Sequence, residues 1–434
     1  MKLLTYLRAG LPSVVFSNLC AAGMSIFLAR SVSPSLLGTW FIFVLIFSSL
    51  ETLNKLQHDT TFVKFVGKKK IDFEDNLSSI LAISVASTFV VLIVFFFFEN
   101  RIISYFFNEN FKEGSFLINF LPLILFLNII FFNYLNFILA KKINFFYLVQ
   151  NIFWLIALIS IYINTNVFSY NLTGALLSYF VIPQVICIFI CVLNIHKDYK
   201  LNFHLNFKNI KNILNYSIKI YLWGLLTIYI LNSYRFFGSK ILINETFAFF
   251  SLALIIANFV TQPIPSVLSS IMLSKLSNIK SKSYNASKSV QVFRIALFIN
   301  LLICIISLLF INDLIIFFYG EEFYRVFLIY LQVVFGITLL NTSTILATFF
   351  ITSGDIKINI KINIYTCIFV TILSFILIPE YKINGLIMTL VLTSVFIFLL
   401  RSIFFLKKSK LNIKSFFFNK KDLTDTLNVL KLKL

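Results

Sequence analysis

The residues of greatest chemical interest in this chain are three basic side chains associated with long apolar segments. Arg235 lies inside one such segment, five residues before Lys240 at its end, and Arg30 closes an earlier segment. An arginine near the centre of a bilayer costs about 2.5–3.5 kcal/mol on insertion scales and usually faces a cavity. Arg235 therefore either lines a cavity or extends to the membrane surface. Arg30 and Lys240 either join it or anchor their helices at the interface.

Acidic and amide side chains form a second group of candidates. Glu51 lies near the end of another apolar segment and is followed by His58 and Asp59. Glu51 and Asp59 either couple transport to a proton or cation gradient or mark a hydrated helix end. Polar amides inside the apolar segments either line a hydrophilic cavity or form hydrogen bonds between helices. These amides are Asn18, Asn133, Asn136, Gln150, Asn232, Asn258, Gln262 and Gln332.

Motifs of the common nucleotide-dependent and hydrolytic enzymes are absent from the sequence. It contains no Walker A loop and no HExxH, GxSxG or GxGxxG motif. The five cysteines lie in apolar segments without a CxxC pair, and the three histidines lie in scattered loops. Neither disulfide nor metal chemistry is indicated. We therefore predict a carrier rather than an enzyme, with no catalytic residue, no metal site and no cofactor.

The composition indicates that membrane-spanning helices position these residues. Hydrophobic residues make up 59% of the 434 and charged residues only 12%, with a mean hydropathy of +0.93. Because a lipid-exposed backbone must form its hydrogen bonds within a helix, the sequence predicts an all-α polytopic membrane protein with about twelve spans of about 20 residues. The predicted spans are Leu11–Leu28, Leu36–Leu53, Leu77–Phe98, Phe116–Leu139, Tyr147–Ile163, Leu172–Leu193, Tyr216–Phe237, Phe247–Leu268, Val290–Ile311, Val326–Ile351, Ile362–Ile378 and Leu386–Leu406.

The distribution of positive charge predicts the orientation in the membrane. The net charge is +20, and most of the 37 Lys and Arg residues fall in alternate loops and in the C-terminal tail. By the positive-inside rule, this pattern places both termini in the cytoplasm. The charge therefore reflects membrane orientation and not nucleic-acid binding. The basic residues at the predicted outer face are Arg30, Arg101, Lys112, Arg235, Lys240, Arg325 and Lys382.

Landmarks in the two halves of the chain recur at a nearly constant spacing. Arg30 and Lys240 are 210 positions apart, as are Gly38 and Ala248, and FFNENF recurs as FYGEEF 212 positions later. Six spans in each half predict two bundles that cross the membrane in the same direction, related by an axis along the membrane normal. The predicted divisions are an N-terminal six-helix bundle at residues 1–205, a C-terminal six-helix bundle at 206–406 and a basic cytoplasmic tail at 407–434.

Several of these segments resemble one family. They are FLARSVSPSLLGTW between spans one and two, FYGEEF before span ten, SGD after it and NG at the start of span twelve. The chain resembles the multidrug/oligosaccharidyl-lipid/polysaccharide (MOP) exporter superfamily over nearly its whole length. Within this superfamily it is similar to the Wzx-type flippases of polysaccharide repeat units.

The resemblance implies a V-shaped pair of six-helix bundles with a cationic cavity that opens alternately to the two membrane faces. The implied substrate is an undecaprenyl-diphosphate-linked repeat unit of O-antigen, capsule or exopolysaccharide, moved to the outer leaflet of the bacterial cytoplasmic (inner) membrane. Arg30, Arg235 and Lys240 would bind the diphosphate, and an H⁺ or Na⁺ gradient would drive transport. The implied partners are a polysaccharide polymerase and glycosyltransferases.

Two alternatives stay open. A cation-coupled multidrug exporter of the same fold would need an acidic or aromatic cavity for cationic drugs, whereas the candidate groups here are basic. A membrane polysaccharide polymerase or ligase would need acid and base groups on a sizeable exposed loop. The longest predicted outer loop, Glu99–Ser115, is short for such a site.

Overall fold

Helices form the framework that carries the candidate residues. The computed structural model describes residues 3–55, 73–107, 111–141, 143–166, 172–198, 207–276 and 282–416, and these ranges contain helices but no strand. The α-helices are α1 (Leu3–Ser31), α2 (Pro34–Lys55), α3 (Phe73–Phe106), α4 (Phe111–Asn119), α5 (Leu121–Lys141), α6 (Ile143–Asn166), α7 (Leu172–Leu176), α8 (Ile182–Asp198), α9 (Phe207–Ile241), α10 (Asn244–Thr261), α11 (Pro263–Leu276), α12 (Lys282–Tyr319), α13 (Tyr324–Thr352) and α14 (Ile356–Ser409). A π-helical turn, Leu177–Val181, joins α7 to α8, and 3₁₀ turns lie at Glu321–Phe323 and Ile413–Phe416.

In the first helical hairpin, the residues at the start of α2 are suited to a helix N-terminus. Ser33 precedes α2, and its Oγ accepts a hydrogen bond from the Leu36 backbone N–H at 3.4 Å. Pro34 occupies the first helical position, where its missing N–H would have no intrahelical partner anyway. The turn between α9 and α10 has the same length as the turn between α1 and α2. Each turn consists of two residues, and the helix ends before them, Ser31 and Ile241, are 210 positions apart.

Other helix boundaries repeat at almost the same spacing. Helix α3 ends at Phe106 and α12 at Tyr319, 213 positions later, while α8 ends at Asp198 and α14 at Ser409, 211 positions later. The internal repeat predicted from scattered landmarks is therefore present in the helix boundaries themselves.

Helix α14 contains two of the predicted spans. Its 54 residues would extend about 80 Å at 1.5 Å per residue, far beyond a hydrocarbon core of about 30 Å. Lys382 has non-helical angles (φ 51°, ψ −119°), which divide the helix into residues 356–381 and 383–409. A Cβ on Gly385 would lie 2.0 Å from the Leu377 carbonyl oxygen, so this tight turn requires glycine.

The number of membrane-crossing helices agrees with the prediction. In the part of the chain that the structure describes, ten helical stretches are long and apolar enough to cross a membrane. The kink in α14 divides one of these stretches into two spans. Helix α9 supplies the seventh predicted span, although its basic residues make it less apolar. The prediction of one continuous eighth span was wrong: α10 ends at Thr261 and α11 begins at Pro263, since proline cannot donate the helical hydrogen bond.

Contacts group the chain into two units. The N-terminal unit is Phe16–Ala248, and the C-terminal unit combines Met1–Val15 with Phe249–Leu434. The predicted divisions at 205 and 406 follow the sequence repeat rather than packing, and they stay a prediction. Most of the predicted tail, residues 417–434, lies outside the described residues.

Each unit has its own apolar core. In the N-terminal unit, the Phe180 ring from the π-helical turn lies 5.9 Å from Phe43 and 4.7 Å from Phe47, both on α2. In the C-terminal unit, Phe349 of α13 packs on Phe405 of α14 with ring centroids 4.8 Å apart. Since α2 and α13 are among the most buried helices, they position the remaining helices of their units.

Candidate substrate-binding site

Arg235 is a cation inside a helix without a full set of partners. It lies six residues before the end of α9, about 9 Å along the axis at 1.5 Å per residue. Its Nη1 donates to Asn232 Oδ1 at 3.4 Å, a long hydrogen bond, and its Nε is buried without a partner. Within the described ranges, no carboxylate forms an ion pair with it. Its charge is therefore largely uncompensated by these protein groups.

A short polar chain fixes the orientation of Asn232 and, through it, Arg235. Asn232 Nδ2 donates to Ser49 Oγ of α2 at 3.1 Å, and Ser49 Oγ in turn donates to the Leu45 carbonyl at 2.9 Å. Because the Asn232 amide nitrogen bonds to α2, its oxygen is left to accept from the guanidinium. The site is thus held by two helices of the N-terminal unit.

The other two predicted cations lie at helix ends. Lys240 is exposed, five residues beyond Arg235 on α9, and its Nζ lies 3.7 Å from the centroid of the Tyr105 ring of α3. Arg30 is exposed at the end of α1. The structure therefore places Arg235 and Lys240 on one helix, with different neighbours, and Arg30 on another. Their common role in binding stays a prediction.

Close backbone packing supports this region at the end of α9. Asn244 Nδ2, at the start of α10, donates to Thr39 Oγ1 of α2 at 3.2 Å. A Cβ on Gly38 would lie 2.0 Å from the Asn244 carbonyl oxygen. Only glycine permits this approach, and the contact holds the turn that follows α9 against α2.

Of the two candidate coupling residues, the structure describes Glu51 but not Asp59. Glu51 forms an ion pair with Lys55, one turn later on α2, at 2.6 Å between Oε1 and Nζ. The same Nζ lies 3.3 Å from the centroid of the Phe132 ring of α5. Asp59 and His58 lie outside the described residues. A coupling role for Glu51 and Asp59 stays a prediction.

Three of the intramembrane amides form hydrogen bonds between helices. Besides Asn232, Asn133 Oδ1 accepts from Ser84 Oγ at 3.4 Å and Asn258 Oδ1 accepts from Asn341 Nδ2 at 3.2 Å. For these residues the structure supports interhelical bonding, one of the two interpretations of the sequence.

A buried arginine in the C-terminal unit was not among the predicted site residues. Arg401 lies inside the predicted span Leu386–Leu406, its side chain is 3% exposed, and its Nη1 donates to Ser343 Oγ at 2.7 Å. The available signal was its place within that predicted span, where the apolar residues Ile403 to Leu406 follow it.

Metal-binding chemistry has no candidate site in the described ranges. They contain no cluster of three or more His, Cys, Asp or Glu side chains. The five cysteines are free, and all but Cys367 are buried. This agrees with their interpretation as small apolar side chains.

Solved structures of membrane transporters share this fold. The lipid II flippase MurJ in an inward closed conformation matches with a TM-score of 0.71 and 17% identity over 96% of this chain and 90% of that chain. An inward-facing multidrug resistance MATE family transporter of the MOP superfamily matches with a TM-score of 0.72 and 11% identity over 100% of both chains. A MOP superfamily transporter from Pyrococcus furiosus, described as having a binding pocket of reversed polarity, matches with a TM-score of 0.66 and 12% identity over 95% of this chain and 98% of that chain. The fold is therefore that of MOP superfamily transporters.

The sequence also identifies the family. The family described as polysaccharide biosynthesis protein matches residues 27–328, a region that includes Arg30, Arg235 and Lys240. The chain belongs to this family. A search of curated proteins found no match. The predicted superfamily is confirmed, and the prediction of a carrier rather than an enzyme agrees with it.

Proposed function

We propose that the chain is a flippase for undecaprenyl-diphosphate-linked oligosaccharide repeat units of O-antigen, capsule or exopolysaccharide. It moves them by alternating access from the cytoplasmic to the outer leaflet of the bacterial cytoplasmic membrane, and both of its termini face the cytoplasm. Membership in the polysaccharide biosynthesis protein family supports this proposal, as does a fold shared with a lipid II flippase.

The observation that carries the proposal is the uncompensated charge of Arg235. A guanidinium away from water is costly unless an anion pairs with it. Its one described side-chain partner is the neutral Asn232 at 3.4 Å, and its Nε has no partner. A diphosphate supplies pairs of anionic oxygens that the planar guanidinium can bind through two N–H groups at once.

The same pairing lowers the cost of translocation. The diphosphate of a lipid-linked sugar is the group least able to enter the membrane, whereas its prenyl chain can stay in lipid. Arg235 replaces part of the lost hydration of the diphosphate, and Lys240 and Arg30 attract it at the helix ends. The cations thus lower the cost of moving the diphosphate through the membrane, which is the slow step in a lipid bilayer without protein.

Energy for directed transport comes from an H⁺ or Na⁺ gradient in this proposal. Glu51 and Asp59 are the candidate coupling groups. Glycosyltransferases supply the lipid-linked unit and a polysaccharide polymerase consumes it, so both are expected partners.

A cation-coupled multidrug exporter is the second candidate, favoured by the full-length match to a multidrug resistance transporter. Cationic drugs would be repelled by Arg235 and Lys240. Within the described ranges, the nearest ion-paired carboxylate on α2, Glu51, is already neutralised by Lys55. The basic site therefore favours an anionic substrate.

A deletion strain tests the proposal against its alternatives. We expect lipid-linked repeat units to accumulate in the inner leaflet and surface polysaccharide to be lost, with both restored by the wild-type gene. A drug exporter predicts raised drug sensitivity without a glycan defect, and a polymerase or ligase predicts single units on the outer face. Unchanged surface polysaccharide in a strain without a redundant carrier would overturn the proposal.

A further inference from the structure

An elongated cavity runs between α2, α3 and α9 in the N-terminal unit. Its volume is about 820 Å³, and nearly all of its wall is apolar. Most of the wall is one face of α3, from Ser87 to Tyr105, and α2 and α9 contribute the opposite side through Leu50, Leu53 and Tyr221. We call this cavity the α3 groove.

The polar groups at one end of the α3 groove are already paired within the protein. The Tyr221 hydroxyl donates to the Leu53 carbonyl at 3.1 Å, which ties α9 to α2. Ser87 Oγ donates to the Asn54 carbonyl at 3.0 Å, and the Asn54 side chain is buried. The polar groups that line this end therefore offer no free charge to a ligand.

The opposite end is cationic. Arg101 lines it and is exposed, and Tyr105 beside it carries Lys240 Nζ over its ring at 3.7 Å. Glu99, the nearest acidic residue on α3, is not part of the wall. The groove thus has an apolar body and one basic end, which is complementary to a lipid with an anionic head group.

The length of the groove distinguishes between kinds of lipid. From Ser87 to Tyr105 the wall extends about 27 Å at 1.5 Å per residue. One leaflet contributes only about half of the hydrocarbon thickness of about 30 Å. A groove longer than one leaflet fits a lipid tail longer than the acyl chains of phospholipids.

We propose that the α3 groove binds the isoprenoid chain of the lipid-linked substrate, with its diphosphate at Arg101 and Lys240. This inference rests on the proposed flippase function. In the orientation predicted from the charge distribution, the basic end faces the outer leaflet. The groove then holds the lipid carrier once its head group has crossed, so that the chain stays bound while the sugar passes the membrane.

Two adjacent residues of α3 provide a matched test. Val94 lines the groove and is 52% exposed, whereas Ile93 is 56% exposed but does not line it. A photo-crosslinking amino acid is placed at each position in the full chain, reconstituted in nanodiscs with undecaprenyl diphosphate. We expect at least fivefold more adduct of isotopically labelled undecaprenyl diphosphate from position 94, and competition by an excess of the unlabelled lipid but not by phosphatidylglycerol. Equal adduct yields, or equal displacement by phosphatidylglycerol, would overturn the proposal.

Transport measurements separate this inference from the proposed function. Val94→Trp fills the groove and should slow the flipping of a lipid-linked oligosaccharide in proteoliposomes at least fivefold, while Ile93→Trp should not. Arg101→Gln should lower the adduct yield at position 94, and Lys112→Gln serves as a control at another exposed cation. Normal flipping by Val94→Trp together with no selective adduct refutes the groove and leaves the flippase intact. A selective adduct without any flipping by the wild type refutes the flippase and leaves the lipid site.

Discussion

The two equivalent hairpins, α1–α2 and α9–α10, have turns of equal length and differ in one half-buried charge, Arg235. Their turns have the same length at a spacing of 210 residues, so Ser25 corresponds to Arg235 and Ala22 to Asn232. In α1, Ser25 Oγ donates to the Ala22 carbonyl of its own helix at 2.8 Å. In α9, Arg235 instead bonds weakly to the Asn232 side chain and keeps a buried N–H unpaired.

The internal repeat sets the helical framework, and the candidate binding residue lies at a position where the two halves differ. Ser25 satisfies its hydroxyl locally, as small polar residues in membrane helices commonly do. Arg235 keeps an unsatisfied donor at the equivalent position, and an anion bound there would offset the cost of that donor. The asymmetry between the hairpins is therefore a better indicator of function than their similarity.

Arg235→Ala is expected to have the largest effect on transport. Hydrogen bonds to charged groups contribute about 1.5–3 kcal/mol, which corresponds to about a 10- to 100-fold loss of export. Arg235→Lys should retain part of the activity, because it keeps the charge without the planar fork. Surface polysaccharide in the complemented deletion strain, normalised to protein amount, measures the effect. The repeat equivalent, Ser25→Ala, is the control, and equal export by Arg235→Ala and the wild type would break the comparison.

Gly38→Ala is expected to destabilise the protein although its repeat equivalent is already alanine, Ala248. An added Cβ would meet the Asn244 carbonyl oxygen at 2.0 Å and its carbon at 2.5 Å, and backbone atoms cannot move aside cheaply. Overpacking of this kind costs about 1–3 kcal/mol. Thermal unfolding of the detergent-purified protein measures it. Gly23→Ala meets only the tip of the Leu158 side chain at 2.8 Å and should change little; the same unfolding temperature for both variants would contradict the packing described.

Lys240→Gln is expected to reduce transport only about two- to fivefold, in line with about 0.5–1 kcal/mol for an exposed cation on an aromatic ring. Because such an interaction is screened by salt, the deficit should shrink as ionic strength rises. Initial flipping rates in proteoliposomes at low and high salt measure it. Arg30→Gln tests the equivalent position of the first hairpin, and a loss as large as that of Arg235→Ala would place the main anion site at the helix ends.

Loss of the hydrogen bond between Asn232 and Ser49 is expected to have the smallest effect, a small decrease in unfolding stability. Interhelical hydrogen bonds in membranes contribute about 0.6 kcal/mol on average. A double-mutant cycle with Asn232→Ala and Ser49→Ala on unfolding stability should give a coupling of that size. Zero coupling would mean that this bond does not position Arg235.

Much of the fold could be predicted from the sequence because membrane helices can be recognised from their apolar composition. The repeat, the twelve spans and the superfamily followed from apolar runs and from landmarks such as Arg30 and Lys240. The break at Pro263 was missed because the apolar run continues through it to Leu268. Proline removes a hydrogen bond without lowering the hydropathy of its surroundings.

The site could be predicted only in part. Arg235 was found from its depth in a span, which is a local property. Its connection to Ser49 and the position of Arg101 on the α3 groove depend on which helix faces meet, and sequence spacing along one helix does not contain that information. Arg401 was not selected for a related reason: its position near the end of a predicted span did not show which helix it faces or that its side chain is buried.

The most direct test of the central claim is the charge preference of transport. Wild-type and Arg235→Ala proteins in proteoliposomes are compared on one oligosaccharide linked to undecaprenol through either a diphosphate or a monophosphate. If Arg235 binds the diphosphate, the wild type should flip the diphosphate-linked form several-fold faster, and the variant should lose this preference. A variant that keeps both the wild-type rate and the wild-type preference would contradict the account.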